Sequence, residues 1–245
     1  MLGRMLKKDL SKRIGINLIL FLFITLATVF LASSVNNILV VNSSMEYYMD
    51  YANVPDVNLI VNSNREKKQI DTWLETQKNE GLISTYDYNQ FLILSEKDTK
   101  IKKENKVEPI NLNGVSLYAG KMDVDFNKVY DEKGNAFVLK KGEIALSNSV
   151  MNKNQLKIGD KIIIKVQTQE REFKIKVKMK DAAFGSEMVG MTRFMLSDED
   201  YHQLENKQSL GLYYIMTNNV QELSQKINDQ TYSTVMNLVT KDVYK

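Results

Sequence analysis

The run of apolar and polar positions changes character three times along this chain. No charged residue occurs between Ile14 and Met45, and the stretch Ile14 to Val35 holds Ile19-Leu20-Phe21-Leu22-Phe23-Ile24 in one block. At about 1.5 Å per residue those positions reach roughly 33 Å, enough to cross the hydrocarbon core of a bilayer. The pattern predicts a transmembrane helix over 14–41. Ala32-Ser33-Ser34 has the small-x-small form of a signal-peptidase site. Against cleavage, the apolar run exceeds the about 7–15 residues of a signal h-region. The text also stays helix-compatible to Val41, with the first turn residues at Asn42-Ser43-Ser44. An uncleaved anchor is expected.

After the anchor the period changes. Asp56 to Val61 alternates as a strand. Ser63 and Glu66 are spaced as a capping box for a helix over 64–80, with Ile70, Trp73, Leu74 and Gln77 on one face and Gly81 ending it. Ile83 to Ser95 reads as a second strand. Ser95 to Glu108 carries nine charges and reads as an exposed excursion. From Ile110 to Met179 short strands are broken by Gly114, Gly120, Gly134, Gly142 and Gly159, with one short helix expected over 148–155. Phe194-Met195-Leu196 then leads into a second capping box, Ser197 to Asp200, and a helix with Tyr201 and Leu204 inward. A strand over 212–216, an Asn219-capped helix with Val220, Leu223 and Ile227 inward, and a strand over 233–239 complete the chain.

The predicted fold class is α+β. A cytoplasmic amphipathic segment (1–13) and the membrane helix (14–41) precede an extracytoplasmic α/β platform made of two halves (42–95 and 181–245). A β-rich lobe (96–180) is inserted between the halves.

Charge fixes the expected orientation. Arg4, Lys7, Lys8, Lys12 and Arg13 precede the span against Asp9 alone, which predicts a cytoplasmic N-terminus with the remainder outside. Leu2, Met5, Leu6 and Leu10 share one face of that segment, as in an interfacial helix on membrane lipid. The chain's net +3 is therefore a positive-inside signal and gives no reason to expect nucleic acid. With no cysteine, disulfides and thiolate chemistry are excluded. The Asn- and Lys-rich composition suggests a bacterial source.

Within the span, Asn17, Thr25, Thr28, Ala32 and Asn36 fall within about 100° of one another, Phe21 being the only large residue on the strip. Such a strip of small and hydroxyl residues allows close helix packing and interhelical hydrogen bonds. Ordinary membrane-helix composition, with Asn17 at the inner interface, accounts for it equally.

Catalytic patterns are sparse. His202 is the only histidine and falls on the outward side of a short helix, so neither a His-based metal site nor a Ser-His triad can be assembled. Gly114 to Lys121 departs from a phosphate loop: one residue too many separates the glycines, Met122 stands where a hydroxyl would hold magnesium, and no helix follows. Asp123 with Asp125 lacks further fixed ligands, and Asp198 with Asp200 is explained by helix capping. The expectation is a non-enzymatic chain that binds no cofactor. In Phe173 to Lys180 every second residue is Lys. That face suits anionic headgroups or cell-wall polymer, but a solvated strand whose lysines discourage edge pairing is the simpler reading.

Two motifs carry a family resemblance. Gly142-Glu143-Ile144-Ala145-Leu146-Ser147, then Leu156-Lys157-Ile158-Gly159-Asp160-Lys161-Ile162, resembles a signature of the extracytoplasmic core domain of MacB/FtsX-type ABC transporter permeases. Phe194 to Leu204 and the opening Leu6 to Arg13 before a membrane helix are similar to the same family. The resemblance implies a permease subunit without its own ATP site. ATP and magnesium would sit in a separate cytoplasmic ABC ATPase, and a second permease copy or paralogue would complete the assembly. Its output would be export or extraction of peptides, antibiotics or lipids, or envelope regulation, at the cell membrane. Family members have further spans where this chain stops at Lys245. It is therefore expected to be the N-terminal part of a permease, or else a single-pass anchored binding or sensor module without an ATPase.

Overall fold

The computed structural model describes residues 14–62, 64–104, 106–122, 125–166, 169–185, 190–204, 208–233 and 235–241. The amphipathic segment 1–13, Ser63 and Asp123 lie outside the described residues. The chain divides into two units at Tyr47/Tyr48.

Helix α1 (Ile14–Tyr51) is long and apolar enough to cross a membrane, and its large apolar side chains from Ile14 to Tyr47 are exposed. It does not stop at Asn42-Ser43-Ser44 as the sequence suggests, but runs on to Tyr51. Serine can return its hydroxyl to the helix: Ser43 Oγ donates to Val40 O at 3.1 Å, so these residues do not force a turn.

The second unit is built on a mixed sheet. Its elements are β1 (Val57–Val61), α2 (Lys67–Asn79), β2 (Ile83–Leu94), β3 (Thr99–Lys103), β4 (Lys106–Pro109), β5 (Ser116–Lys121), β6 (Val129–Asp131) and β7 (Glu143–Ser147). They continue with α3 (Asn148–Lys153), β8 (Lys161–Val166), β9 (Gln169–Asp181), β10 (Met191–Leu196), α4 (Asp198–Gln203), β11 (Ser209–Thr217), α5 (Val220–Asn228) and β12 (Val235–Thr240). The strand order is β12-β1-β11-β2-β5-β10-β7-β9-β8-β3-β4, with β6 paired to β9.

The first four positions in that order are antiparallel neighbours in the arrangement of a split β-α-β sheet, β1-α2-β2 with β11-α5-β12. The remaining strands are inserted between β2 and β11 in sequence. They join the same sheet where Leu92, Ile93 and Leu94 of β2 pair with Ala119, Tyr118 and Leu117 of β5. Strand β10 and helix α4, grouped by sequence with the platform, lie inside this inserted part because β10 pairs with β5 and β7. Ser95 to Glu108 is likewise no loose excursion. β3 alternates buried Thr99 and Ile101 with outward lysines, and it pairs with β4 and β8.

All short helices share one face of the sheet. Ile70 and Leu74 of α2 and Leu223 and Ile227 of α5 pack on Leu59, Tyr213 and Ile215. Further along, Val150 and Met151 of α3 and Tyr201 and Leu204 of α4 pack on Phe173, Ile175 and Phe194. Two caps fall where the sequence puts them, Ser197 for α4 and Asn219 for α5, and Ser147 caps α3 in the same way. The α2 start differs. Glu66 precedes the helix without a side-chain cap, and its carboxylate instead accepts from Ser233 N and Oγ at 3.1 and 3.0 Å. Trp73 is only half-buried at the edge of this core.

Candidate functional site: a buried ion pair beneath the last turn of α1

The opposite sheet face collects loops and the C-terminal turn of α1. Alternation along β1, β11 and β10 turns Ile60, Leu212, Tyr214 and Arg193 to this side. Tyr48, Met49, Ala52 and Val54 pack here with Phe91, Ala183, Phe184 and Leu212.

At the centre is an ion pair with both side chains closed off from solvent. Arg193 Nε donates to Asp181 Oδ2 at 2.7 Å, and Nη2 donates to Asp181 Oδ1 at 3.2 Å. Nη2 also donates to the Asn127 carbonyl at 2.5 Å. Asp181 is aimed by its own turn, since Oδ1 accepts from Ala183 N and Phe184 N at 3.2 and 3.0 Å. Gly185 closes that turn through its N–H to Asp181 O at 3.1 Å, and a Cβ there would stand 2.3 Å from the same oxygen. The guanidinium lies 4.8 Å from the Phe184 ring centre and 5.5 Å from that of Phe91. A buried bidentate pair between aromatic faces is the environment that suits arginine rather than lysine.

The chain leaving α1 is fastened around this pair. Asn53 and Asn127 both take left-handed backbone (φ 51° and 50°), which Asn tolerates better than most residues. Their segments hydrogen-bond each other through Asn127 N to Asn53 O (3.1 Å) and Lys128 N to Ala52 O (2.8 Å). Asn127 Nδ2 donates to Asn58 Oδ1 of β1 at 3.2 Å. Tyr130 donates to the Tyr51 carbonyl at 3.0 Å, and the two rings lie 4.5 Å apart. Tyr51 in turn donates to Gly134 O, and Lys241 after β12 reaches Asp50 at 2.7 Å. Strands far apart in sequence thus converge on the last turn of α1.

The tyrosine hydroxyls beside this ion pair are held neutral by burial. The Tyr214 hydroxyl, beside the Asn89 and Asn127 amides, is pushed up to about 12 by burial against the opposing pull of Arg193. Burial also raises Tyr48, with the nearby Asp181 carboxylate second. Among the described residues, Tyr48 Oη and Asn58 Nδ2 are buried without a hydrogen-bond partner.

The residues singled out from sequence are distributed differently. Thr25 and Thr28 donate to Phe21 O and Ile24 O of their own helix, both at 2.8 Å, while Ala32 and Asn36 are exposed and Asn17 half-exposed. His202 is exposed on α4 as expected. Asp200 is buried, and its Oδ2 accepts from Gly142 N and Ser197 Oγ, both at 2.7 Å, so it ties α4 to the β7 turn and does not pair with Asp198. No group of three His, Cys, Asp or Glu able to hold a metal occurs among the described residues. Arg193 and Asp181 were missed by the sequence reading. The available signal was a lone arginine inside the apolar strand Met191-Thr192-Arg193-Phe194-Met195-Leu196.

No family model and no curated protein matches the chain. Among solved structures, a "Putative Lipoprotein from Bacillus anthracis" is similar at TM-score 0.39 and 6% identity, over 75% of this chain and 96% of that one. A "domain of a putative Permease protein from Porphyromonas gingivalis" is similar at TM-score 0.41 and 10% identity, over 77% of this chain and 88% of that one.

Proposed function

We propose that this chain is the N-terminal part of a MacB/FtsX-type ABC transporter permease. In this reading α1 crosses the cell membrane with the N-terminus in the cytoplasm, and the sheet unit lies outside. ATP and Mg are bound by a separate cytoplasmic ABC ATPase. A second permease copy or paralogue packs beside this one, and the small-residue strip of α1 is the surface offered to a neighbouring span. The chain moves and does not catalyse. Its output is export or extraction of peptides, antibiotics or lipids, or control of envelope enzymes.

The observation that carries the reading is the fastening of the last turn of α1. A domain that is only displayed on a tether gains nothing from tying Tyr51, Asp50 and Met49 into its core. A domain that is pulled or tilted by its helix needs that connection to be stiff.

The test is purification of the full chain from its native membranes in mild detergent. The reading expects a stoichiometric subunit with a phosphate-loop motif and Mg-dependent ATP hydrolysis in the complex. A full-length chain that carries no nucleotide-hydrolysing subunit would favour an anchored binding or sensor module instead.

A further inference from the structure

Strand β9 is not an edge strand. It pairs with β7 in parallel and with β8 antiparallel, so its lysines have no edge to protect. A bulge opposite Ile144/Ala145 also re-phases the strand, and the alternating lysines do not form one face. Lys178 is mostly buried and reaches Glu132 at 3.1 Å.

The registers assemble a different cationic surface. Lys174 of β9 stands beside Lys161 of β8, which stands beside Lys102 of β3. Ile163 of β8 lies between Glu172 and Lys100, and Lys165 pairs with Glu170. Three carboxylates interleave: Lys100–Glu170 at 3.0 Å, Lys102–Glu172 at 2.7 Å with Lys161 on the same Glu172, and Lys176–Glu143 at 3.7 Å. Six lysines thus face three glutamates on an exposed area three strands wide.

The surroundings reinforce the sign. Residues 95–208, which carry the inserted strands, contain 21 basic and 18 acidic side chains, whereas 42–94 and 209–245 together contain 7 and 11. The near-neutral unit is therefore mildly polarised along its sheet, with the inserted part the more basic. Glu143 is in register with Lys174 and precedes Ile144, which packs with the helices, so the lysine area belongs to the opposite face. That is the face that receives Tyr48 and Met49, where the chain joins the sheet unit.

We infer that this area docks on the anionic surface of the membrane that holds α1. A flat array of flexible ammonium groups attracts headgroup phosphates without a shaped pocket, and a covalent tether makes even weak attraction effective. The attraction is screened within about a Debye length, so it is switched by ionic strength. The inference requires α1 in a bilayer and no transport activity.

The test uses the full chain in lipid nanodiscs, with single cysteines added to a sequence that has none. A fluorophore is placed at Val107→Cys beside the lysines, or at Gln69→Cys on α2 across the sheet, and nitroxide headgroups act as quencher. In discs containing 30% phosphatidylglycerol, quenching at 107 should exceed that at 69 several-fold and vanish at high salt. The triple variant Lys161→Gln, Lys165→Gln, Lys174→Gln should weaken docking about 100-fold, from about 5-fold per lysine. The matched triple Lys67→Gln, Lys68→Gln, Lys226→Gln should leave it unchanged. Equal quenching at both positions, or equal quenching in neutral and anionic discs, would overturn the proposal. So would lysine-dependent binding of soluble polyglycerol phosphate without any quenching at 107.

Discussion

Arg193 and Asp181 meet at 2.7 Å with both side chains shut off from water, on the sheet face that takes the end of α1. Removing one partner leaves the other charge buried. Arg193→Met or Asp181→Asn should each cost about 3–5 kcal/mol. The double variant should cost clearly less than the sum, because no uncompensated charge remains. Urea midpoints of the four proteins check this, and simple additivity would mean that the pair is not energetically coupled.

Alkaline pH should loosen the fold through its buried tyrosines. Tyr214 is raised from 10 to about 12, and Tyr48 and Tyr213 are raised further, in each case chiefly by burial. These tyrosines keep their protons in the folded state after the unfolded chain has lost them. Their stabilisation is complete below about pH 10 and is lost as pH rises through the folded values. Tyr214 alone accounts for roughly 2–3 kcal/mol of that loss. Stability measured between pH 8 and 11.5 should fall steeply above 10, and Tyr214→Phe should flatten the fall.

Close packing between β1, β2 and β11 depends on one glycine. A Cβ at Gly211 would lie 2.5 Å from Val61 Cγ2 and 2.7 Å from the Tyr88 hydroxyl, which donates to Asn64 Oδ1. Gly211→Ala should cost about 1–3 kcal/mol by overpacking. Trp73→Ala should cost only about 1–2 kcal/mol, below the 3–5 of a fully buried aromatic, because the indole is half-exposed. Thermal denaturation ranks the two, and a larger loss at Trp73 would contradict the packing described.

Much of the fold was legible because local rules and tertiary structure agree. Ser197 and Asn219 cap the helices that their spacing announces, and the apolar block from Ile19 to Ile24 marks the span. What failed to show was set by distant partners. The end of α1 at Tyr51 depends on Tyr130 and Lys241, which no local pattern near Asn42-Ser43-Ser44 reports. β3 carries only two buried side chains, too few to outweigh its lysines by eye. The Arg193–Asp181 pair depends on β9 and β10 flanking β7, and strand order is not encoded in any single segment. The lysine alternation misled because a bulge re-phases β9, and a bulge leaves no sequence mark here.

Orientation is open to direct labelling. Cysteines at Ser11 and at Gln225, an exposed position on α5, should differ in intact cells, with only the second reached by an impermeant maleimide. Labelling of Ser11→Cys from outside would reverse the arrangement proposed for α1.

The central claim is that α1 carries movement into the sheet unit through its fastened last turn. The decisive measurement places a fluorophore at Gln69→Cys in the full-length chain, assembled in nanodiscs with the ATPase subunit proposed above, and follows the emission on adding Mg-ATP. Three glycines inserted after Asn42 break the helix between span and clamp without touching either. The account predicts an ATP-dependent change in the intact chain that disappears in the insertion variant while the ATPase rate is retained. An unchanged response after the insertion, or no response to ATP in the intact complex, would contradict it.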